Sequence, residues 1–234
     1  MGMDGSIVGT GPQSDVEAQV DPTFNTLRVN IKPLEYTEVN KPGLGGHFYV
    51  AGATGALTGV GANGIIFAFR WSDTKWLAVL KRVSLVYYLT TAYTGAQMND
   101  FDIVAVTGYT ASDSTGAGAT VLTPSPKRRS TMAPSSAVTD CRIAGTAALS
   151  AGTKTIDASS LRYVADGPPN VAIPTATLAV PRQELLLYDN KEMGVHPKVF
   201  GTNEGFLVRM VTAMSAAGVI KAYIQAEWAE VSQY

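Results

Sequence analysis

A period of two runs through the apolar residues of this chain. Near the C-terminus Ile220, Ala222, Ile224, Ala226 and Trp228 alternate with Lys221, Tyr223, Gln225 and Glu227. Residues i and i+2 of an extended chain share a face, so this spacing predicts a strand buried on one side. Val83, Leu85, Tyr87 and Leu89 alternate in the same way with Arg82, Ser84, Val86 and Tyr88, and Leu27, Val29 and Ile31 with Arg28, Asn30 and Lys32, a run that Pro33 ends. No segment keeps the i, i+3, i+4, i+7 apolar spacing of an amphipathic helix over three turns. The pattern points to an all-β chain.

Other segments read as buried strands because β-branched and aromatic residues are packed together without alternation. These are Ile65 to Trp71, bounded by Gly64 and by Ser72-Asp73, then Phe101 to Val106 and Gly205 to Val211. Residues 46–51 and 182–188 are shorter candidates, and 74–80 is ambiguous between a helical turn and a strand. Ala216-Ala217-Gly218 lies between two strand patterns, which together predict a β-hairpin. Residues 107–160 are dominated by Gly, Ala, Ser and Thr, and predict long loops with short strands near 136–143 and 154–157. Residues 1–23 carry no periodicity and read as an extended N-terminal arm. The expected organisation is therefore an arm over 1–23 and one β-sandwich domain over 24–234, jelly-roll-like, with long Gly/Ala/Thr-rich loops.

Charge narrows the function. Eighteen Lys and Arg face nineteen Asp and Glu in 234 residues, a net charge of −1. Such a balance gives no general drive toward nucleic acid. One Cys and two His exclude a disulfide framework and fall short of four zinc ligands. No cofactor is expected. The N-terminus lacks the basic and apolar regions of a signal peptide, and Lys81-Arg82 interrupt the longest apolar stretch, so no membrane span is expected. The default expectation is a soluble protein of a reducing cytoplasm.

Each motif has a plain reading that outweighs the chemical one. Gly59-Val60-Gly61-Ala62-Asn63-Gly64 fits G-x-G-x-x-G, but a dinucleotide site needs that loop to open a helix, and here it opens a strand. Asp113-Ser114-Thr115-Gly116 reads as a turn. No G-x-S-x-G occurs. His47 and His196 have no motif partner, and Cys141 reads as a half-buried thiol. Trp71, Trp76 and Trp228 read first as core residues. Lys127-Arg128-Arg129 is the one basic cluster, in a Pro-rich loop; three charges could bind a phosphate or an acidic partner surface, but the plainer reading is a solvated loop or an inter-subunit salt-bridge donor. The expectation is that the protein is not an enzyme.

Three stretches carry a resemblance. They are Phe67-Ala68-Phe69-Arg70-Trp71 followed by Ala78-Val79-Leu80-Lys81-Arg82-Val83, then Asp140 through Ala158, then Asn203-Glu204-Gly205-Phe206-Leu207-Val208-Arg209 with Glu227-Trp228-Ala229-Glu230. Over roughly residues 60–230 the chain resembles a group of tailed-bacteriophage virion proteins encoded among head and tail genes. The resemblance implies a structural component of the virion, assembled in the host cytoplasm, of capsid decoration (cement) or minor head type. Its partners would be the major capsid protein or other virion proteins and further copies of itself, a trimer being favoured. No direct nucleic-acid or membrane contact is implied. Ile7, Val8, Val16, Val20 and Phe24 are the expected arm contacts, with Lys127, Arg128 and Arg129 as a further partner-binding group. Two alternatives stand beside this. One is a tail, neck or fibre-base component. The other is a carbohydrate-binding jelly roll contacting the host through an exposed Tyr88 or Tyr93.

Overall fold

The computed structural model describes residues 7–8, 17–21, 26–29, 44–94, 97–113, 120–123, 125–126, 138, 140–150, 152–166, 184–194, 196–215 and 217–231. Among these there is no helix. The chain divides into two compact units, Met1–Leu44 and Gly45–Tyr234. In the first, β1 (Ile7–Val8), β2 (Glu17–Asp21) and β3 (Thr26–Val29) form an antiparallel sheet in that order. The second unit therefore begins at residue 45, not 24, and strands occur within 1–23. Thr26–Val29 finds its partner in Asp21–Ala18, a few residues upstream, where loop closure costs little entropy.

The second unit holds β4 (Leu44–Ala53), β5 (Leu57–Thr58), β6 (Gly64–Arg70), β7 (Leu77–Thr91), β8 (Asn99–Tyr109), β9 (Thr120–Val121), β10 (Ser125–Pro126), β11 (Asp140–Ile143), β12 (Lys154–Asp166), β13 (Glu184–Asp189), β14 (Val199–Phe200), β15 (Gly205–Met210) and β16 (Val219–Val231). They make two sheets, and every described pairing is antiparallel. The first runs β10-β4-β16-β7-β13, with β14 on β7 and β5 on β16. The second runs β12-β8-β15-β6-β11-β9. The sheets pack face to face as a β-sandwich. The chain passes from β4 to β6 to β7 to β8, switching sheets at each step, and does so again through β13, β15 and β16.

Aromatic side chains fill the space between the sheets. Phe69 of β6 lies 5.0 Å from Phe206 of β15 beside it, and 5.0 Å from Trp228 of β16 on the facing sheet, edge-on at 69°. Phe200 and Phe48, from the first sheet, complete the cluster against Phe69 and Trp228. Truncating any one of these rings to Ala is expected to cost about 3–5 kcal/mol.

The two sheets differ on their outer sides. Along β16 the alternation holds: Ile220, Ala222, Ile224 and Ala226 are buried, and Tyr223 and Gln225 are exposed. Along β6 and β8, successive residues such as Ile66, Phe67, Ala68 and Phe69, or Ile103, Val104, Ala105 and Val106, are all buried. Neighbouring strand residues point to opposite faces, so the second sheet is covered on both along β6 and β8, as the first is along Ala78–Leu80 of β7 and Trp228–Val231 of β16, whereas Tyr163 of β12 is exposed.

Four expectations change. Gly205–Met210 and Val219–Val231 are not a hairpin: β15 pairs with β6 and β8, and β16 with β7. After Met210 the chain crosses to the other sheet instead, with Gly218 against the Tyr93 ring, where an added Cβ would meet Cδ1 at 1.8 Å. The ambiguous 74–80 enters strand at Leu77. Within 107–160 strands lie at both expected places, β11 and the start of β12, but β12 runs to thirteen residues instead of four, and its register shifts three times against β8. Such bulges break the period-two signal. Cys141 is fully buried, on β11 opposite Phe69, and not half-buried.

Candidate functional site

Two places in the second unit collect chemistry. The first is the open outer face of the first sheet. Cross-strand partners share a face, and the register places Tyr88 with Lys221, Val86 with Tyr223, Ser84 with Gln225, and Arg82 with Glu227. β13 continues the face with Glu184 opposite Val86 and Leu186 opposite Ser84. Tyr88 and Tyr223 stack at 6.0 Å and 23°. Tyr223 is 41% exposed. Arg82 pairs with Glu184 at 2.8 Å, and Gln225 donates to Glu227. The result is a stiff, charge-balanced plate with a tyrosine pair on it, built on strands of fifteen and thirteen residues, well beyond the usual five or six.

The second place is a buried polar row across one end of the second sheet. Lys154 of β12 stands opposite Tyr109 of β8, and Arg70 of β6 stands between Gly205 of β15 and Asp140 of β11. The turn before β15 ties the row together. Asn203, at φ 65°, a conformation Asn tolerates better than most residues, takes its N–H to Trp71 O and gives its carbonyl to Tyr109 N–H. Arg70 donates through Nη1 to Ser112 Oγ and through Nη2 to Asn203 Oδ1, both at 2.7 Å. Its guanidinium carbon lies 5.6 Å from the centroid of the Tyr109 ring, and Lys154 Nζ lies 5.7 Å from it. Lys154 Nζ contacts Asp113 Oδ1, which also accepts the Gly152 N–H at 2.8 Å. The Lys154 and Asp113 side chains are 3% and 0% exposed. Among the described residues, Tyr109 Oη, Asp113 Oδ2 and Arg70 Nε are buried with no hydrogen-bond partner.

Burial, and next the negative charge of Asp113, push the Tyr109 phenol far up, so it stays an O–H group. Burial, and then Asp140, do the same to the Cys141 thiol, which removes the thiolate a nucleophile would need.

A third set of polar groups is fully satisfied. Asp102 accepts both Arg209 Nε and Nη2 and the Ser160 hydroxyl, and Asp100 accepts from Tyr163, Thr212 N and Thr212 Oγ1. These bonds tie β8, β12 and β15 together. Hydrogen bonding to Asp100, followed by burial, raises the Tyr163 phenol.

The residues singled out in the sequence are scattered. Ile7 and Val8 form β1 and Val20 lies in β2. Val16, Phe24, Lys127, Arg128 and Arg129 lie outside the described residues. Tyr93 is buried, its hydroxyl on Asn99 Oδ1, so only Tyr88 of the two suggested sugar-facing tyrosines reaches an open face. Trp71 and Trp228 are core, donating to Trp76 O and Glu230. The glycine-rich loop 59–64 turns directly into β6, with Gly64 N on Gly61 O. Among the described residues no group of three or more His, Cys, Asp or Glu could hold a metal ion. The polar row escaped sequence reading. Asp113 sat in a turn-like tetrapeptide, and nothing local marks Lys154 as its neighbour.

No protein-family model, no curated protein and no solved structure matches the chain.

Proposed function

We propose that this protein is a structural component of a tailed-bacteriophage virion, a capsid decoration or minor head protein that acts through protein–protein contact. The observation that carries the reading is the outer face of the first sheet. It is long and electrically balanced, with the Tyr88–Tyr223 stack at its centre and Arg82, Glu184, Lys221 and Glu227 around it, the aromatic centre and polar rim of an interface. Strand order adds support. Leaving out β11 and the short strands, β4-β16-β7-β13 faces β12-β8-β15-β6. We read this as a jelly roll, two Greek keys wound into two sheets, an architecture found in viral capsid and lectin domains. By that reading the face lies on neighbouring capsomers, the Met1–Leu44 unit engages an adjacent subunit, and many copies add avidity.

The test is quantification of the protein in purified particles. On the order of hundreds of copies supports decoration, since avidity of that kind needs a repeated lattice. A dozen or fewer moves the protein to the tail or neck, and absence from the particle overturns the reading. The tyrosine stack also supports a carbohydrate-binding jelly roll contacting the host, because stacked exposed rings suit sugar faces. Glycan-array binding that Tyr223→Ser abolishes would favour this second role.

A further inference from the structure

We propose that Lys154 and Asp113 become joined by an intramolecular isopeptide bond, Nζ to Cγ, once the sandwich has folded. The two residues are 41 positions apart, on segments that the backbone straps together. Thr110 N–H, Ala111 N–H and the Thr110 hydroxyl all donate to Thr153 O. Gly152 lies so close to this strap that a Cβ there would stand 2.3 Å from Ala111 O. Only glycine permits the approach, and the approach is what delivers the Asp113 carboxyl to Lys154.

Their surroundings favour a bond over an ion pair. Both side chains are cut off from water, and Tyr109 walls one side. An ion pair in such a place must offset the desolvation of both charges and needs every remaining lone pair satisfied. Here Asp113 Oδ2 has no partner among the described residues. Condensation removes both charges and the unpartnered oxygen together, and leaves a neutral amide whose oxygen keeps the Gly152 N–H. Holding amine and carboxyl in fixed contact supplies the entropic part of the barrier.

The step balances without any other reactant. A proton passes from Lys154 Nζ to Asp113 Oδ2, giving a neutral amine and a carboxylic acid. The nitrogen lone pair attacks Cγ, and the Gly152 N–H stabilises the negative charge that develops on Oδ1. The Nζ–Cγ bond forms and the Cγ–Oδ2 bond breaks. Oδ2 leaves as water with two of the three ammonium protons, and the third remains on the amide nitrogen. Nothing is oxidised or reduced. The bond does not depend on the virion role proposed above.

The experiment is the intact mass of the denatured full-length protein, followed by tryptic peptide mapping. The expected mass, after allowance for any loss of Met1, is one water below that of the sequence. The expected map contains a branched peptide joining the Asp113 and Lys154 segments, with no cleavage after Lys154. Lys154→Arg and Asp113→Ala should each restore the full mass. The map of the unsubstituted protein decides alone if those variants fail to fold. A full sequence mass with linear peptides cleaved after Lys154 would overturn the proposal, as would a water deficit mapped to any other site.

Discussion

Replacing Lys154 and Asp113 together by apolar residues distinguishes a covalent tie from an ion pair by stability alone. In the double variant Lys154→Met/Asp113→Leu no charge is left stranded. If the native pair is ionic, exchanging it for apolar groups of similar volume is neutral or stabilising by about 1–4 kcal/mol. In either case the Gly152 N–H loses its acceptor, about 1 kcal/mol. If the pair is bonded, unfolding of the parent must keep a closed loop of 41 residues. The chain-entropy relation used for disulfides then gives about 13 cal/mol/K, or about 4 kcal/mol at 25 °C, which the variant loses. With the lost Gly152 bond the total is about 5 kcal/mol, and since about 2–4 °C of melting temperature follows each kcal/mol for a chain of this size, the double variant should melt about 10–20 °C lower. Lys154→Met alone should fall further, by about 3–5 kcal/mol, because it strands a buried carboxylate. All three tryptophans, Trp71, Trp76 and Trp228, lie in the second unit, so their fluorescence on heating follows the sandwich without interference from residues 1–44. A double variant that melts above the parent, or no more than about 4 °C below it, refutes the reasoning, because a neutral exchange of an ion pair loses only the Gly152 bond.

Three further outcomes follow from other parts of the structure. Gly205→Ala puts a Cβ 1.9 Å from Phe69 O of the adjacent strand. With β6 and β8 on either side of β15, the cost should reach about 3 kcal/mol or more, read as a loss of soluble protein or a large drop in melting temperature. Tyr109→Phe should change stability little at pH 8, because the hydroxyl has no hydrogen-bond partner among the described residues. Above pH 10 the parent should lose stability by about 1.4 kcal/mol per pH unit at this residue, since the unfolded chain releases a phenolic proton that the buried ring retains. The phenylalanine variant should show a shallower alkaline decline in urea titrations, and an unchanged slope would contradict the burial of this ring. Tyr223→Ser should leave the melting temperature within about 2 °C, as surface substitutions generally do, yet reduce rebinding to particles stripped of the protein. Full rebinding would move the contact off this face.

How much of this could be read from residues depends on how local its cause is. The strand character of Val219–Val231 was legible because up to Glu227 one face is buried and the other open, so burial and sequence alternate together there. Gly64–Arg70 was legible for the opposite reason: a strand covered on both faces reads as an unbroken apolar run. Partnership was not legible. The short span between Met210 and Val219 suits a hairpin, but Phe206 and Val208 fit among Phe67, Phe69 and Ile103 on one sheet, and Ile224 and Trp228 fit on the other. That choice is made by packing across the core, which no window of sequence contains. The polar row was illegible for the same reason. Asp113 reaches Lys154 only because β12 returns antiparallel along β8 and brings Gly152 under Ala111.

The scarcity of charge takes on a sharper meaning once the charges are placed. Among the described residues, Asp100, Asp102, Asp113, Lys154 and Arg209 are wholly or partly buried on the second sheet or its connections, bonded to neighbouring strands. Arg70 and the Asp140–Arg142 pair add to the same side. These charges act as internal ties and are lost to the surface. On the first sheet Glu230 is likewise buried, accepting from Trp228 Nε1, whereas Arg82, Glu184, Lys221 and Glu227 surround the tyrosine stack and remain within reach of solvent. Along β6, β8 and β15 the second sheet is covered on both faces and its charges are bonded to neighbouring strands, which leaves β12, with Tyr163 exposed, as an open edge. A sheet with one open face, balanced charge and stacked rings has what specific recognition requires, an aromatic centre with a polar rim. Under the proposed virion role, the contact surface would be the outer side of β16 from Val219 to Glu227 with β7 and β13, where the stacked rings and the balanced charge coincide.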